Sequence, residues 1–432
     1  MPSSATSNER IRVLFADHLN VARGKYLPPS FAANGSARAC LGVYALTYDR
    51  DLIPAPGGGL LTGLPDMEMI FDPDDLRPSW HDNTKILLAD LEFEGRTLPL
   101  CGRSLLKRAV QAWRDEGLEA MVGVEYEANL LQQDQDGNWV PYHTPGGYVY
   151  GTGPCADPGR VLETIWDRVN AVGLPIESMN SEFDPGQFEM TLHYRDALNA
   201  IDDAFLLRLL AREVAAEMGL LLSFMPKPHE AMGGSGFHIN FSLNNKDGQN
   251  ALVDPGAEDG LADITKKAIA GLMRHHEGLA GLLAPLSNSY RRLAPASMSG
   301  YWANWGYDHR GVTVRLPAER NKATRIEHRM ADCGANPYTA TAAVLLAAKM
   351  GLDNSYELQP AETGDCFENT DAKGHCAESL DGAIKALAAD VALKEVLGSE
   401  LVDHFVAIKE AEVEKTNGLD LPQEFAYYGH YI

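Results

Sequence analysis

The sequence predicts an α+β protein of two unequal domains, on three observations. The first hundred residues read mainly as strands, the remainder alternates apolar-periodic helices with strands, and 432 residues exceed one ordinary core. In the first part, residues 11–15 and 22–27 flank the polar turn Asp17-His18-Leu19-Asn20 and predict a hairpin. Residues 86–93 read as one further strand. Residues 54–65, dense in Gly and Pro, form a loop of a size that tends to carry function. A helix follows, with Ser104 as N-cap, Leu105, Leu106, Ala109, Val110 and Trp113 at helical spacing, and Gly117 as stop. The boundary falls near Leu100, giving domains of 1–100 and 101–432. A second helix is expected from Asp202 or Asp203 to Gly219, and others around 261–284, 337–350, 380–396 and 400–415.

Bulk composition excludes several function classes. No apolar run approaches the ~20 residues needed to span a bilayer, and the polar start, residues 1–10, lacks the apolar core of a secretory signal, so a cytoplasmic enzyme is expected. Six scattered cysteines without a C-x-x-C pair predict reduced thiols rather than a disulfide framework or structural zinc. The formal charge is −23, from 37 basic and 60 acidic side chains. Such a balance disfavours nucleic-acid and anionic-membrane partners.

Four strands carry polar faces. Side chains at i and i+2 share a side, so Glu125 and Glu127 sit together with Val122, Val124 and Tyr126 opposite. Gln187, Glu189 and Thr191 form a second polar face, His238, Asn240 and Ser242 a third, and Arg325, Glu327 and Arg329 a fourth. For any one strand a solvated face is the ordinary explanation. Yet His-x-Asn-x-Ser lacks the Lys and Glu that usually supply solubility, and gathered carboxylates repel unless cations lie among them. Glutamates with one histidine suit Mg²⁺ or Mn²⁺. Residue spacing alone carries the reading no further.

The sequence around these strands resembles the glutamine synthetase family. The resemblance rests on Gly123-Val124-Glu125-Tyr126-Glu127, on the stretch from Glu182 to Glu189, and on Phe224-Met225-Pro226-Lys227-Pro228 followed by Gly233-Gly234-Ser235-Gly236-Phe237-His238. Downstream come Asn288 to Leu293, Arg310 to Arg315, Arg325 to Arg329 and Asn336-Pro337-Tyr338, in the family's order. The resemblance implies an N-terminal β-grasp domain and a C-terminal catalytic domain with a curved antiparallel sheet. It further implies ATP as co-substrate, two or three Mg²⁺ or Mn²⁺ ions per site, and a dodecamer of two hexameric rings with active sites between subunits. Carried over residue by residue, Glu127, Glu182 and Glu189 would hold one metal, and Glu125, His238 and Glu327 the other. Arg292, Arg329 and Gly234 would bind glutamate. Arg310 and Arg315 would neutralise the transferring phosphoryl group, and Glu177, Asn240, Ser242 and Arg325 would lie near the nucleotide. Tyr148 matches an aromatic residue beside the amine site, and Asp49, with Asp51 and Asp66 as alternatives, the acid lent by a neighbouring subunit.

One departure bears on the substrate. Where ordinary members carry a flap glutamate after the Arg292 position, this chain reads Pro295-Ala296-Ser297-Met298-Ser299-Gly300-Tyr301-Trp302, without a carboxylate. Met298, Tyr301 and Trp302 are therefore expected at the amine pocket, and a γ-glutamylamide synthetase using an aromatic or alkyl amine is expected over an ammonia-using glutamine synthetase. A catalytically inactive structural or regulatory member is the alternative from another class.

Overall fold

The computed structural model describes residues 8–367 and 370–432. Part of the polar start, and two residues of the polar 354–376 stretch, lie outside them. Eight strands open the chain: β1 (Arg10–Ala16), β2 (Ala22–Leu27), β3 (Ser36–Cys40), β4 (Asp66–Ile70), β5 (Arg77–Pro78), β6 (Thr84–Leu88), β7 (Asp90–Phe93) and β8 (Arg96–Thr97). They build two sheets, ordered β2-β1-β6-β5 and β3-β4-β7-β8. The hairpin expected around Asp17–Asn20 is β1–β2, and β1 also runs parallel to β6.

The single strand expected over 86–93 is two strands in different sheets. The chain crosses between sheets at Ala89, whose N–H still bonds Leu14 O at 2.9 Å, while Asp90 turns toward Arg103 at 2.6 Å. Periodicity could not reveal this break, because β1 and β6 are buried on both faces. Ile11, Val13 and Phe15 enter a small core with Tyr44, Met67 and Leu91. Leu14, Ala16, Ile86 and Leu88 enter the large core of the rest of the molecule.

A third sheet has ten strands. Its main path is β11 (Ile176–Ser181), β12 (Gln187–Leu192), β9 (Leu118–Gln133), β15 (Phe237–Asn245), β18 (Ile326–His328), β17 (Val314–Leu316) and β16 (Trp305–Tyr307). β10 (Trp139–Pro141), β13 (Arg195–Asp196) and β14 (Leu221–Ser223) pair with the long central strand β9. Every pairing is antiparallel except β16 with β17. Val122, Val124, Tyr126, Phe188, Met190, Ile239 and Phe241 are buried on the sheet's apolar face. The opposite face opens into a cleft.

Helices cover the apolar face, and several bounds differ from those the sequence predicts. The helix expected from Asp202 runs over Ala197–Glu217, with Asp196 as N-cap accepting from Asn199 N–H. Asp202 and Asp203 are internal and buried, because arginines neutralise them. Residues 261–284 form two helices, Asp263–Arg274 and His276–Leu283, and residues 380–396 form two more, Leu380–Ala389 and Val391–Leu397. The two breaks are joined: His275 Nδ1 meets Asp390 Oδ2 at 2.7 Å, and Asp390 also caps the helix after it. Besides the single turn Pro29–Ala32, two helices lie outside those the sequence predicts, Val161–Ala171 and Leu421–Tyr428. The first lacks a capping side chain, since left-handed Arg160 stands at its N-cap. All six cysteines are free thiols, and no helix among the described residues is long and apolar enough to cross a membrane.

Asp202 ties the two sheets' supports together. Its carboxylate accepts from Arg103 Nε and Nη2 at 2.9 Å each, from the Tyr338 hydroxyl at 2.8 Å, and from Arg77 at 3.4 Å. Removing it leaves Arg103 with Asp90 alone and Arg77 with Asp203 alone as carboxylate partners, in a poorly solvated interface. Asp202→Ala is expected to destabilise the fold by roughly 3–5 kcal/mol, read as a marked fall in thermal midpoint. An unchanged midpoint would show that water satisfies the arginines.

Candidate active site

Strand register assembles the polar face. β9 sets Glu127 opposite Glu189 and Glu125 opposite Thr191 on β12, and on its other edge sets Glu125 opposite His238 of β15. β15 in turn sets Asn240 opposite Glu327 of β18, which lies opposite Arg315 of β17. Residues directly opposite in an antiparallel pair project to one face, so side chains from five distant stretches converge. Two clusters result. The ligand atoms of Glu125, His238 and Glu327 all lie within 4.8 Å of one another, as do those of Glu127, Glu182 and Glu189.

This grouping creates an electrostatic problem. Burial and the charges of Glu125, Glu182 and Glu127 push the Glu189 carboxyl up to about 8, and burial with the Glu127 charge raises Glu182. Glu125 goes the other way. Burial opposes its ionisation, but the His238 hydrogen bond and charge, Arg329 and the Asn240 amide hold it down at about 2. Glu327, almost wholly buried, is held by Arg329 and, at 2.7 Å, by Arg315 Nη1. Hard carboxylate oxygens with a single imidazole nitrogen form a donor set that suits Mg²⁺ or Mn²⁺. A cation held by Glu127, Glu182 and Glu189 would relieve the crowding that raises Glu189. The residues therefore fit a pair of divalent cations.

Around the carboxylates lies a cleft of about 670 Å³. Arg292 is fixed by Met330 O at 2.9 Å and Arg329 O at 3.2 Å. Its stem runs against Gly234, where a Cβ would come within 2.6 Å of Arg292 Cγ, and its tip against Gly236, where a Cβ would meet Nη2 at 2.7 Å. Only glycine permits this approach. The loop is pinned by Gln187 Nε2 to Gly234 O at 2.9 Å and by Asn129 Nδ2 to Ser235 Oγ at 2.7 Å. Arg310, Arg315, Arg325, Arg329 and Glu177 also line the cleft. Glu177 is half exposed, 3.4 Å from His193. Asn240 and Ser242 line a smaller adjoining cavity, where Asn240 Oδ1 accepts from Arg325 Nε at 3.1 Å.

Four of the expected residues are not brought to the cleft. Tyr148 projects outward from its loop and does not line it; Val149 and Tyr150 do. Tyr301 is buried behind the flap, stacked on His375 at 5.3 Å, and Trp302 packs edge-on against the same pair. Asp49 is taken up by Lys415 and lies within 3.5 Å of the Tyr427 hydroxyl. Met298 does line the cleft.

Other contributors escaped sequence reading. Lys227 lines the cleft and donates to Met232 O, with its backbone N–H held by Asn288 Oδ1 at 2.7 Å. Arg291 lines the cleft and bonds Glu424 at 2.7 Å. The buried Cys333 thiol donates to Gly236 O at 2.9 Å and lies 3.1 Å from Glu127 O, beneath the carboxylates. Phe183 exposes its ring at the cleft wall. A Gly-rich neighbourhood was the only signal for Tyr150, whose φ of 62° is rare for an aromatic residue.

The family model for the glutamine synthetase catalytic domain matches residues 99–428. The chain belongs to the glutamine synthetase family. It is 32% identical to γ-glutamylputrescine synthetase of Escherichia coli over 84% of this chain and 79% of that one. It is also 27% identical to a glutamate–isopropylamine ligase of a Pseudomonas species, over 97% and 95% of the two chains. Among solved structures, a glutamine synthase homologue superposes with a TM-score of 0.85 at 25% identity, covering 98% of both chains. This family comprises ATP-dependent glutamate ligases that use divalent metals, and the protein is accordingly a carbon–nitrogen ligase acting on glutamate.

The Gly234 contact generates a test. Gly234→Ala should displace Arg292 by about an ångström while leaving the fold intact, and a shift of that size costs on the order of 10²-fold in turnover. Steady-state ligase assays beside circular dichroism would show it; full activity would mean the loop yields freely.

Proposed function

We propose that this ligase forms a γ-glutamyl amide from L-glutamate and an organic amine, aromatic or alkyl, through a γ-glutamyl phosphate. One observation carries the choice of amine. The flap beside the carboxylates presents Ser297, Met298 and Ser299 to the cleft, with no carboxylate among them. Ser297 Oγ is occupied by Ala294 O at 2.6 Å and by the Ser299 hydroxyl at 2.5 Å. Val149, Tyr150 and Phe183 line the same cleft, so its walls offer a carbon skeleton apolar contact. The names of two relatives, a γ-glutamylputrescine synthetase and a glutamate–isopropylamine ligase, support the same reading.

The residues divide the work as follows. A carboxylate is a poor acylating agent because its leaving group would be oxide; phosphorylation by ATP replaces that with phosphate. Glu127, Glu182 and Glu189 would hold one divalent cation, and Glu125, His238 and Glu327 another. When bound, such ions supply charge neutralisation for the phosphates. Arg292 and Arg329 grip glutamate, with Gly234 keeping the approach open. Arg310, exposed at the mouth, and Arg315, anchored by Glu327 and by Asp308 at 2.6 Å, neutralise the transferring phosphoryl group. Asn240, Ser242, Arg325 and Glu177 position the nucleotide. The amine then attacks the acyl carbon through its lone pair, the C–O bond to phosphate breaks, and the nitrogen gives up one proton to the departing phosphate or to solvent, in a site that must otherwise exclude water. Asp49 faces away from its own chain's cleft, as it would if lent to a neighbour in a ring-shaped homo-oligomer.

An amine panel tests this reading. With ATP and glutamate, aniline or an alkylamine should give kcat/KM at least ~10-fold above ammonia; ammonia as the best substrate would overturn the proposal. Met298→Glu, which restores an anion to the flap, should move the preference toward ammonia by about 10-fold.

Metal binding is tested without turnover. Mn²⁺ at a hundred times its dissociation constant should stabilise the wild type by about 2.7 kcal/mol. Glu182→Ala and Glu327→Ala should each forfeit part of the rise in thermal midpoint; equal rises in all three would place the ions elsewhere.

A further inference from the structure

β11 divides the cleft from a second cavity. Glu177 and Ser178 line the cleft, whereas Met179 and Ser181 line a separate space of about 350 Å³ closed by the Val161–Ala171 helix. That volume lies in the range of small-molecule sites. Its inner wall holds an unmet hydrogen-bonding group: the Ser181 hydroxyl is buried, with the residue 3% exposed, and has no partner among the described residues. A desolvated hydroxyl is costly unless something bonds it.

The charges select the sign of a ligand. Arg160 Nε is taken by Glu163 at 2.6 Å, so that pair cancels. Asp157 is buried and committed to Leu162 N–H at 2.8 Å and the Tyr142 hydroxyl at 3.3 Å. Asp167, exposed at the rim, has no partner among the described residues. The net field is therefore negative, which rejects anions. Trp166 and Met179 line the same cavity. An indole face attracts an ammonium group, and the thioether packs against carbon.

We propose that this cavity is a second binding site, for a small organic cation: a primary ammonium ion with an aromatic or alkyl body. The ammonium pairs with Asp167 at the rim, and the body extends inward along Trp166 and Met179 toward Ser181. The site is built into the cleft's own support. Tyr150 N–H bonds Ser181 O at 2.8 Å, and Ser181 N–H bonds Gly151 O at 3.0 Å. Gly151 lines the second cavity while Tyr150 lines the cleft, so an occupant stiffens the loop that presents Tyr150 to the reaction. The proposal does not rest on the ligase reading.

Titration calorimetry with benzylammonium chloride tests it, on the full-length protein in Mg²⁺ buffer at pH 7 without ATP or glutamate. Binding at one site per chain is expected, weakened at least ~10-fold by Trp166→Ala and by Asp167→Asn, and kept within a few-fold by Trp166→Phe, which preserves a ring. Benzyl alcohol and benzoate should bind at least ~10-fold more weakly. No measurable binding, binding indifferent to both substitutions in folded variants, or benzyl alcohol binding as tightly would each overturn the proposal.

Discussion

The register of β9 against β12 and β15 is the constraint on which the cleft depends. It places Glu127 beside Glu189 and Glu125 beside His238, while Val124 and Tyr126 point into the core at 1% exposure each. Strand periodicity is two, so a slip of one residue would drive those carboxylates into the apolar layer and lift Tyr126 out. Burying an unpaired carboxylate costs several kcal/mol even after relaxation, and there are two on this strand alone. The apolar alternation that builds the core therefore also selects the single register in which the carboxylates meet.

Meeting has opposite consequences for neighbours. Glu125 and Glu189 lie on adjacent strands of one face, yet one is held at about 2 and the other pushed to about 8. Distance from cations explains the split. Glu125 has His238 at 3.2 Å and the Arg329 charge nearby, whereas Glu189 faces chiefly other carboxylates. The arginines thus balance the half of the face toward β17 and β18, and the half toward β11 and β12 remains short of positive charge. Such an imbalance is tolerable only where an ion or a proton can make it up.

Much of this was legible from residue order, for a physical reason: period-two alternation with polar or charged residues on one side is a local signal, and each of the four polar strands carried it. The hairpin around Asp17 and most helices were legible likewise. What escaped was set by contacts distant in the chain. Ala89 divides one apolar run between two sheets because both faces of β6 are covered. Asp202 reads as a helix start, since acids favour N-caps, but here three arginines and a tyrosine on other elements solvate the Asp202–Asp203 pair. The aromatic residues at the flap illustrate the same limit. Met298 reaches the cleft, yet Tyr301, three residues on, turns inward to His375, a partner seventy-four positions away.

The cleft's apolar walls bear on how an amine would be chosen. An anionic flap residue at a solvent-open site would give an ammonium ion on the order of 1 kcal/mol. A ring burying about 100 Å² against Met298, Phe183 and Tyr150 gains about 2.5 kcal/mol. The second effect is larger and is open only to an amine with a carbon skeleton, so under the proposed function this flap would trade charge recognition for burial. It also removes the nearest base: with Ser297 and Ser299 bonded to each other, neither hydroxyl is poised to take a proton from an incoming ammonium. A nucleophile that arrives already neutral is spared the deprotonation that must precede attack, and weakly basic amines arrive so. Wall and missing base thus favour the same substrates, for independent reasons.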